Sequence, residues 1–235
     1  MGVLVGKNKR TIEKTFKKEY GGFCGWKHLQ ETVGRTKNED SVNIYVGLLQ
    51  TGARAMELPS ITRRQIDLEY SDSIIMVNSM KVEKQRERIN LFNDDGSPML
   101  DGEGKRVYQM ESVESERSFP IRRDNPLAAN FEEYVEKFDD RDILYPFTYN
   151  QIYYRIGLID TNLPRGYYKE GWSKHKGPWW PHRIRAERAC QLIRDYKYDL
   201  FRLKKWFGWS TSYMPELYGG IVPQDLIYEN EVSWR

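Results

Sequence analysis

The stretch that most constrains this chain runs from Pro181 to Arg194, P-H-R-I-R-A-E-R-A-C-Q-L-I-R. Proline suits the first helical turn. Ala186, Ala189, Cys190 and Ile193 recur at helical spacing, which gives the helix a small apolar face to bury. His182 and Arg185 are three apart and point the same way. The fold must therefore bury this helix and still present an imidazole and a guanidinium together. A second short helix, Leu200 to Phe207, is closed by Gly208, a residue suited to the left-handed cap position. Trp209 comes next, and Tyr218 stands nine residues after it, just before Gly219-Gly220.

The 235 residues suit one large domain, or one domain plus a small arm. No apolar run approaches the roughly eighteen residues of a membrane span. The N-terminus lacks the apolar segment of a signal peptide, and Gly6 stands where a myristoylation signal needs Ser or Thr. Cys24 and Cys190 make no metal-ligand spacing and suggest a reducing, intracellular setting. No cofactor or metal is expected. The net charge of +3 hides a strong segregation. Met1 to Tyr20 holds six Lys/Arg against two Glu, and Arg165 to Lys205 holds twelve against four acids. Asn93 to Glu116 is the reverse, with seven acids against Lys105 and Arg106. Two basic blocks around the Pro181 helix point to a polyanionic partner.

In chain order, Trp26 to Val33 reads as a helix, and Asp40 or Ser41 can cap the next one, which ends at Thr51-Gly52. Then A-R-A-M-E-L places Arg54 and Glu57 three apart. They form either a surface ion pair or a phosphate clamp at the start of a new helix, whose guanidinium the carboxylate steadies. Ser73 to Met80 is a strand, Lys81 to Glu87 reads as a charged turn, and Arg88 to Phe92 as the returning strand. Asn93 to Gly104 carries D-D-G and D-G-E-G and reads as an exposed insertion. Lys105 to Val113 and Glu116 to Ile121 extend the sheet. Asn125-Pro126 suits the cap and first turn of a helix from Leu127 to Phe138. Thr148 caps another, from Tyr149 to Ile159. Thr161 to Trp180 is a long Gly/Pro/Trp-rich loop.

Taken together, these pieces resemble the catalytic domain of the tyrosine recombinase (phage integrase) family. T-G-A-R-A-M-E-L resembles the family's first box, with Arg54 as the first catalytic arginine and Glu57 as its acidic partner. H-R-I-R, with His182 and Arg185, resembles the second. Gly208-Trp209, with Tyr218 nine positions on, resembles the box that carries the nucleophile, although Trp209 stands where the family usually has His. The family also carries a catalytic lysine on a β-hairpin turn between its two arginines, and V-N-S-M-K-V-E-K-Q-R-E-R resembles that turn, with Lys81 as the best match and Lys84 and Lys105 as the other candidates. The resemblance implies an α+β fold, mainly helical, with a small antiparallel sheet at one edge. It spans residues 26–220, between a basic N-terminal arm, 1–25, and a C-terminal tail, 221–235. The acidic insertion is one departure from the family pattern. The lack of room for a helical domain ahead of the catalytic one is another.

The resemblance further implies metal-independent cleavage and rejoining of double-stranded DNA by a homotetramer on paired sites, in integration or excision of a mobile element. Tyr218 is the implied nucleophile. A phenol with a free pKa of about 10 must lose its proton to attack phosphorus, and His182 is suited to help take it. Arg54 and Arg185 suit the phosphate oxygens, and Lys81 suits the departing 5′-oxygen. Trp209 can only donate its indole N–H. Lys84, Arg86 and Arg88 are expected on backbone phosphates. The rival readings are a type IB topoisomerase and a DNA-binding remnant without catalysis.

Overall fold

The computed structural model describes residues 26–159 and 179–209. The N-terminal arm, the aromatic loop, Tyr218 and the tail lie outside them. The first helices are α1 (Trp26–Arg35) and α2 (Glu39–Thr51). Two 3-10 turns (Leu58–Ser60 and Arg63–Gln65) lead into a three-stranded antiparallel sheet, β1 (Ile66–Ser71), β2 (Ile74–Asn90) and β3 (Tyr108–Arg122), ordered β1-β2-β3. Then come α3 (Ala128–Val135), α4 (Tyr149–Gly157), α5 (Pro181–Arg194) and α6 (Leu200–Phe207). The architecture is the α+β arrangement expected, with the sheet against one side of the helices. Among the described residues no helix is long and apolar enough to cross a membrane.

Helix α2 is the hub. It packs against α3, α4 and α5 and buries an unbroken run from Ile44 to Thr51. Its start is set by Asn38, whose Oδ1 accepts from Ser41 N at 2.8 Å, rather than by Asp40 or Ser41. Its end is Gly52 at φ 56°, and a Cβ there would lie 2.5 Å from the Phe207 ring and 2.7 Å from that of Trp206. Glycine therefore lets the end of α2 meet the end of α6. Helix α5 goes further than an apolar face: every residue except His182 and Arg194 is buried. Thr148 begins α4 as expected, exchanging side-chain and backbone bonds with Gln151.

Three local expectations are corrected. The charged turn at Lys81–Glu87 does not exist, and Arg88 to Phe92 is not a separate returning strand. β2 runs unbroken through Asn90, with Lys81 opposite Glu116, Arg86 opposite Ser112 and Arg88 opposite Met110. Of the pairs along this stretch, Lys81 opposite Glu116 joins opposite charges, which favours pairing. The reversal falls instead at the D-D-G and D-G-E-G segments, where Gly96 and Gly104 take φ 79° and 78°. The presumed insertion is thus the far end of the hairpin. Second, Arg54 starts no helix, and the chain passes through turns to the 3-10 segment at Leu58. Third, Asn125 is not the residue next to α3, which starts at Ala128 and ends by Val135, although its Oδ1 accepts from Leu127 N at 3.2 Å in the turn that leads in. Its buried amide exchanges bonds with Gln50, 2.9 Å in one direction and 3.3 Å in the other.

Candidate active site

The site is built on the ends of α2 and α6. The last carbonyls of a helix have no partner within it and carry the negative end of its dipole. Here two guanidiniums take them up. Arg185 donates Nη1 to Gly52 O and Nη2 to Phe207 O, the latter at 3.2 Å. Arg117 donates Nη1 to Trp206 O at 2.6 Å and Nη2 to Thr51 O at 2.9 Å. Each arginine therefore clamps the end of one helix to the end of the other.

Glu57 sits between them with a fully buried side chain. Its Oε1 accepts from Arg54 Nη1 at 2.8 Å. Its Oε2 accepts from Arg54 N at 2.8 Å and lies 3.6 Å from Arg185 and 3.7 Å from Arg117. Burial pushes the Glu57 pKa up, but Arg185, Arg117 and the Arg54 N–H outweigh it, and the net shift is downward. Burial, reinforced by Arg185, lowers Arg117 to about 9, so it remains cationic at neutral pH. Three guanidiniums face one carboxylate and two helix ends, each equivalent to about half a negative charge. Among the described residues the cluster keeps roughly one positive charge in excess. Its solvent-facing member is Arg54, whose side chain is 26% exposed against 5% for Arg185 and 2% for Arg117.

Aromatic rings wall this cluster. Trp209 is buried and stacks on Phe207, with centroids 4.4 Å apart and an interplanar angle of 11°. The Arg185 guanidinium lies over Phe207 at 4.6 Å and Trp209 at 5.6 Å. Gly208, at φ 65°, packs against Val82 and the stem of Arg117. The Trp209 indole is thus part of the wall around Arg185.

Of the residues singled out from sequence, Arg54, Glu57, Arg185 and Trp209 come together. His182 stands on the exposed side of α5, one turn before Arg185. Lys81 is exposed in mid-strand rather than at a hairpin tip. It lies between two register shifts of the β2–β3 ladder, Val77/Met80 and Val82/Gln85, and near Ser79, whose φ is 48°. Irregularities of this kind re-aim strand side chains. Lys105 is on the distant end of the hairpin, paired with Glu103 at 2.6 Å. Lys84, Arg86 and Arg88 belong to β2, and their side chains, like Tyr218, lie outside the described residues. Among the described residues, no cluster of His, Cys, Asp and Glu could hold a metal ion.

Arg117 is the residue that sequence reasoning missed. The signal was present: Arg117, Phe119 and Ile121 alternate along β3, opposite Met80, Val77 and Ile75. All six are buried. An arginine in step with a buried apolar face is a candidate for a buried polar cluster.

No family model matches the chain, and no curated protein matches it. Among solved structures it is similar to the Tn1549 transposon integrase in complex with transposon right end DNA, at 17% identity and a TM-score of 0.47, over 84% of this chain and 61% of that one. It is similar to XerA recombinase at 16% identity and a TM-score of 0.47, over 83% of this chain and 59% of that one. It is similar to the catalytic domain of bacteriophage HP1 integrase at 18% identity and a TM-score of 0.45, over 91% of this chain and 95% of that one. The chain spans about three fifths of the length of the first two.

Proposed function

We propose that this chain cleaves and rejoins double-stranded DNA as a tyrosine recombinase, with Tyr218 as nucleophile. The observation that carries the reading is the meeting of Arg54 and Glu57 from one motif with Arg185 and Trp209 from two others. They form one cluster with excess positive charge and a solvent-facing guanidinium. A polar group preorganised toward developing negative charge stabilises a transition state without having to reorganise during reaction.

In this reading a scissile phosphate lies against Arg54, which donates to its non-bridging oxygens. Arg185 and Arg117 hold the floor in place, and Arg185 adds its positive field. The Tyr218 oxygen attacks phosphorus, its proton passing to His182 or solvent, and the bond to the 5′-oxygen breaks. Lys81 protonates that leaving oxygen. The Trp209 indole N–H steadies the phosphate. The product is a 3′-phosphotyrosine and a free 5′-hydroxyl, and attack by another strand's 5′-hydroxyl reverses the step. Lys84, Arg86 and Arg88 are assigned to backbone phosphates. Residues 26–220 form the catalytic domain, with 1–25 and 221–235 as arms. The biological outcome is integration or excision of a mobile element, by a homotetramer on paired sites.

The test is covalent trapping. A duplex nicked beside the scissile phosphate lets the cleaved fragment diffuse away, so a protein–DNA adduct accumulates on a denaturing gel. Wild type should form it and Tyr218→Phe should not, while binding DNA as well as wild type. An adduct of normal yield in Tyr218→Phe would refute the assignment.

A further inference from the structure

The β2–β3 hairpin ends in a small stitched unit. Leu91 N donates to Val107 O at 3.2 Å, Met99 N to Leu91 O at 2.9 Å and Val107 N to Met99 O at 2.8 Å. Because side chains alternate along extended chain, the residue after each points the other way. Phe92, Leu100 and Tyr108 are 58%, 54% and 44% exposed. Large apolar side chains grouped in solvent mark an interaction surface. The same segment carries Asp94, Asp95, Asp101 and Glu103 against Lys105 and Arg106. Asp95 bonds Ser97, and Asp101 accepts the Glu103 and Lys105 N–H groups. The tip is thus an ordered, acidic, apolar knob.

The same chain carries a complement to it. A groove of about 360 Å³ between the sheet and α6 is lined by Met76, Phe119, Tyr198 and Trp206, with Arg202 and Lys205 beside them. Leu200 and Phe201, 42% and 76% exposed, lie on the same helix. This surface is apolar and basic where the tip is apolar and acidic. Met76 and Leu91 are separated by fifteen positions along one hairpin arm. At about 3.3 Å per residue that is roughly 50 Å of extended chain, so the tip does not reach the groove of its own chain.

We propose that the hairpin tip of one copy docks in the α6 groove of a second copy. Phe92 and Leu100 supply the buried apolar area, and Asp94 and Glu103 face Arg202 and Lys205, Glu103 exchanging Lys105 and Arg202 exchanging Asp199 for the new partner. Rim charges of this kind set orientation and choice of partner more than affinity. The contact uses different surfaces on the two copies, so its repetition closes a ring or extends a filament.

The test is sedimentation velocity of the full chain without DNA, up to on the order of 100 µM, a range that detects weak association. Wild type should associate with rising concentration. The groove variant Arg202→Glu/Lys205→Glu and the tip variant Asp94→Lys/Glu103→Lys should each associate at least tenfold more weakly. An equimolar mixture of the two should recover association, because each then meets a partner of opposite charge. Loss of fold does not produce that recovery. A monomeric wild type, charge variants that associate like wild type, or a mixture that fails to recover would each overturn the proposal. So would association that appears only when residues 221–235 are deleted, which would make the tail the occupant of the groove.

Discussion

Replacing Glu57 with glutamine probes the cluster while keeping its shape. The substitution removes one negative charge that lies 2.8, 3.6 and 3.7 Å from Arg54, Arg185 and Arg117. It keeps a carbonyl oxygen for the Arg54 N–H and opens no cavity. Arg117 and Arg185 would then lose the carboxylate between them and keep the carbonyls of the two helix ends. Breaking a buried ion pair from one side costs about 3–5 kcal/mol, a large part of the roughly 5–15 kcal/mol of a typical domain. In a chain of this size that corresponds to about 6–20 °C in Tm. Urea unfolding followed by tryptophan fluorescence at pH 7 measures it. Because the folded pKa of Glu57 is depressed, its stabilisation is fully present above the unfolded value of about 4.3 and is lost as pH falls through the folded value. The gap between wild type and Glu57→Gln should therefore narrow in acid, where protonated Glu57 resembles glutamine. A loss below about 1 kcal/mol at pH 7, or a gap that widens in acid, would refute this account of the cluster.

Other outcomes follow from the same geometry. Gly52→Ala should destabilise by about 2 kcal/mol or more, since the left-handed conformation alone costs roughly 1–2 kcal/mol for a side chain and the new Cβ would strike the Phe207 ring; thermal unfolding checks it. Arg54→Ala should slow adduct formation roughly a hundredfold to a thousandfold, the scale for one donor to a developing oxyanion, and a change within a few-fold in single-turnover assays would make Arg54 structural. DNA binding should weaken steeply with salt, as phosphate contacts release counterions. A flat response in fluorescence anisotropy would argue against phosphate-dominated binding.

Local signals were legible wherever a short stretch determines its own geometry. Gly52 and Gly208 as helix ends, Thr148 as a cap and Pro181 as a helix start needed only neighbouring residues. What failed depended on distant partners. Lys81 to Glu87 looked like a turn because charge clusters favour solvent, yet the backbone ladder to β3, a strand far along the sequence, holds it extended. Asn125 looked like a cap and does accept from Leu127 N, yet α3 starts later and the same amide is bonded to Gln50, 75 residues away. Arg117 looked like one charge among many: its alternation with Phe119 and Ile121 puts the three on one face, but that the face is buried around an arginine depends on the helices packed against the sheet. The site was legible in its pieces, Arg54, Glu57, Arg185 and Trp209. Its closure by Arg117 across the ends of α2 and α6 is a tertiary fact.

The central claim is that a phosphotyrosine forms at Tyr218. Its most direct measurement is proteolysis of the trapped protein–DNA adduct, followed by mass spectrometry of the peptide that carries the nucleotide. The account predicts the 3′-phosphate on Tyr218. A nucleotide on Tyr213, on any other of the sixteen tyrosines, or on a residue that is not tyrosine would contradict it.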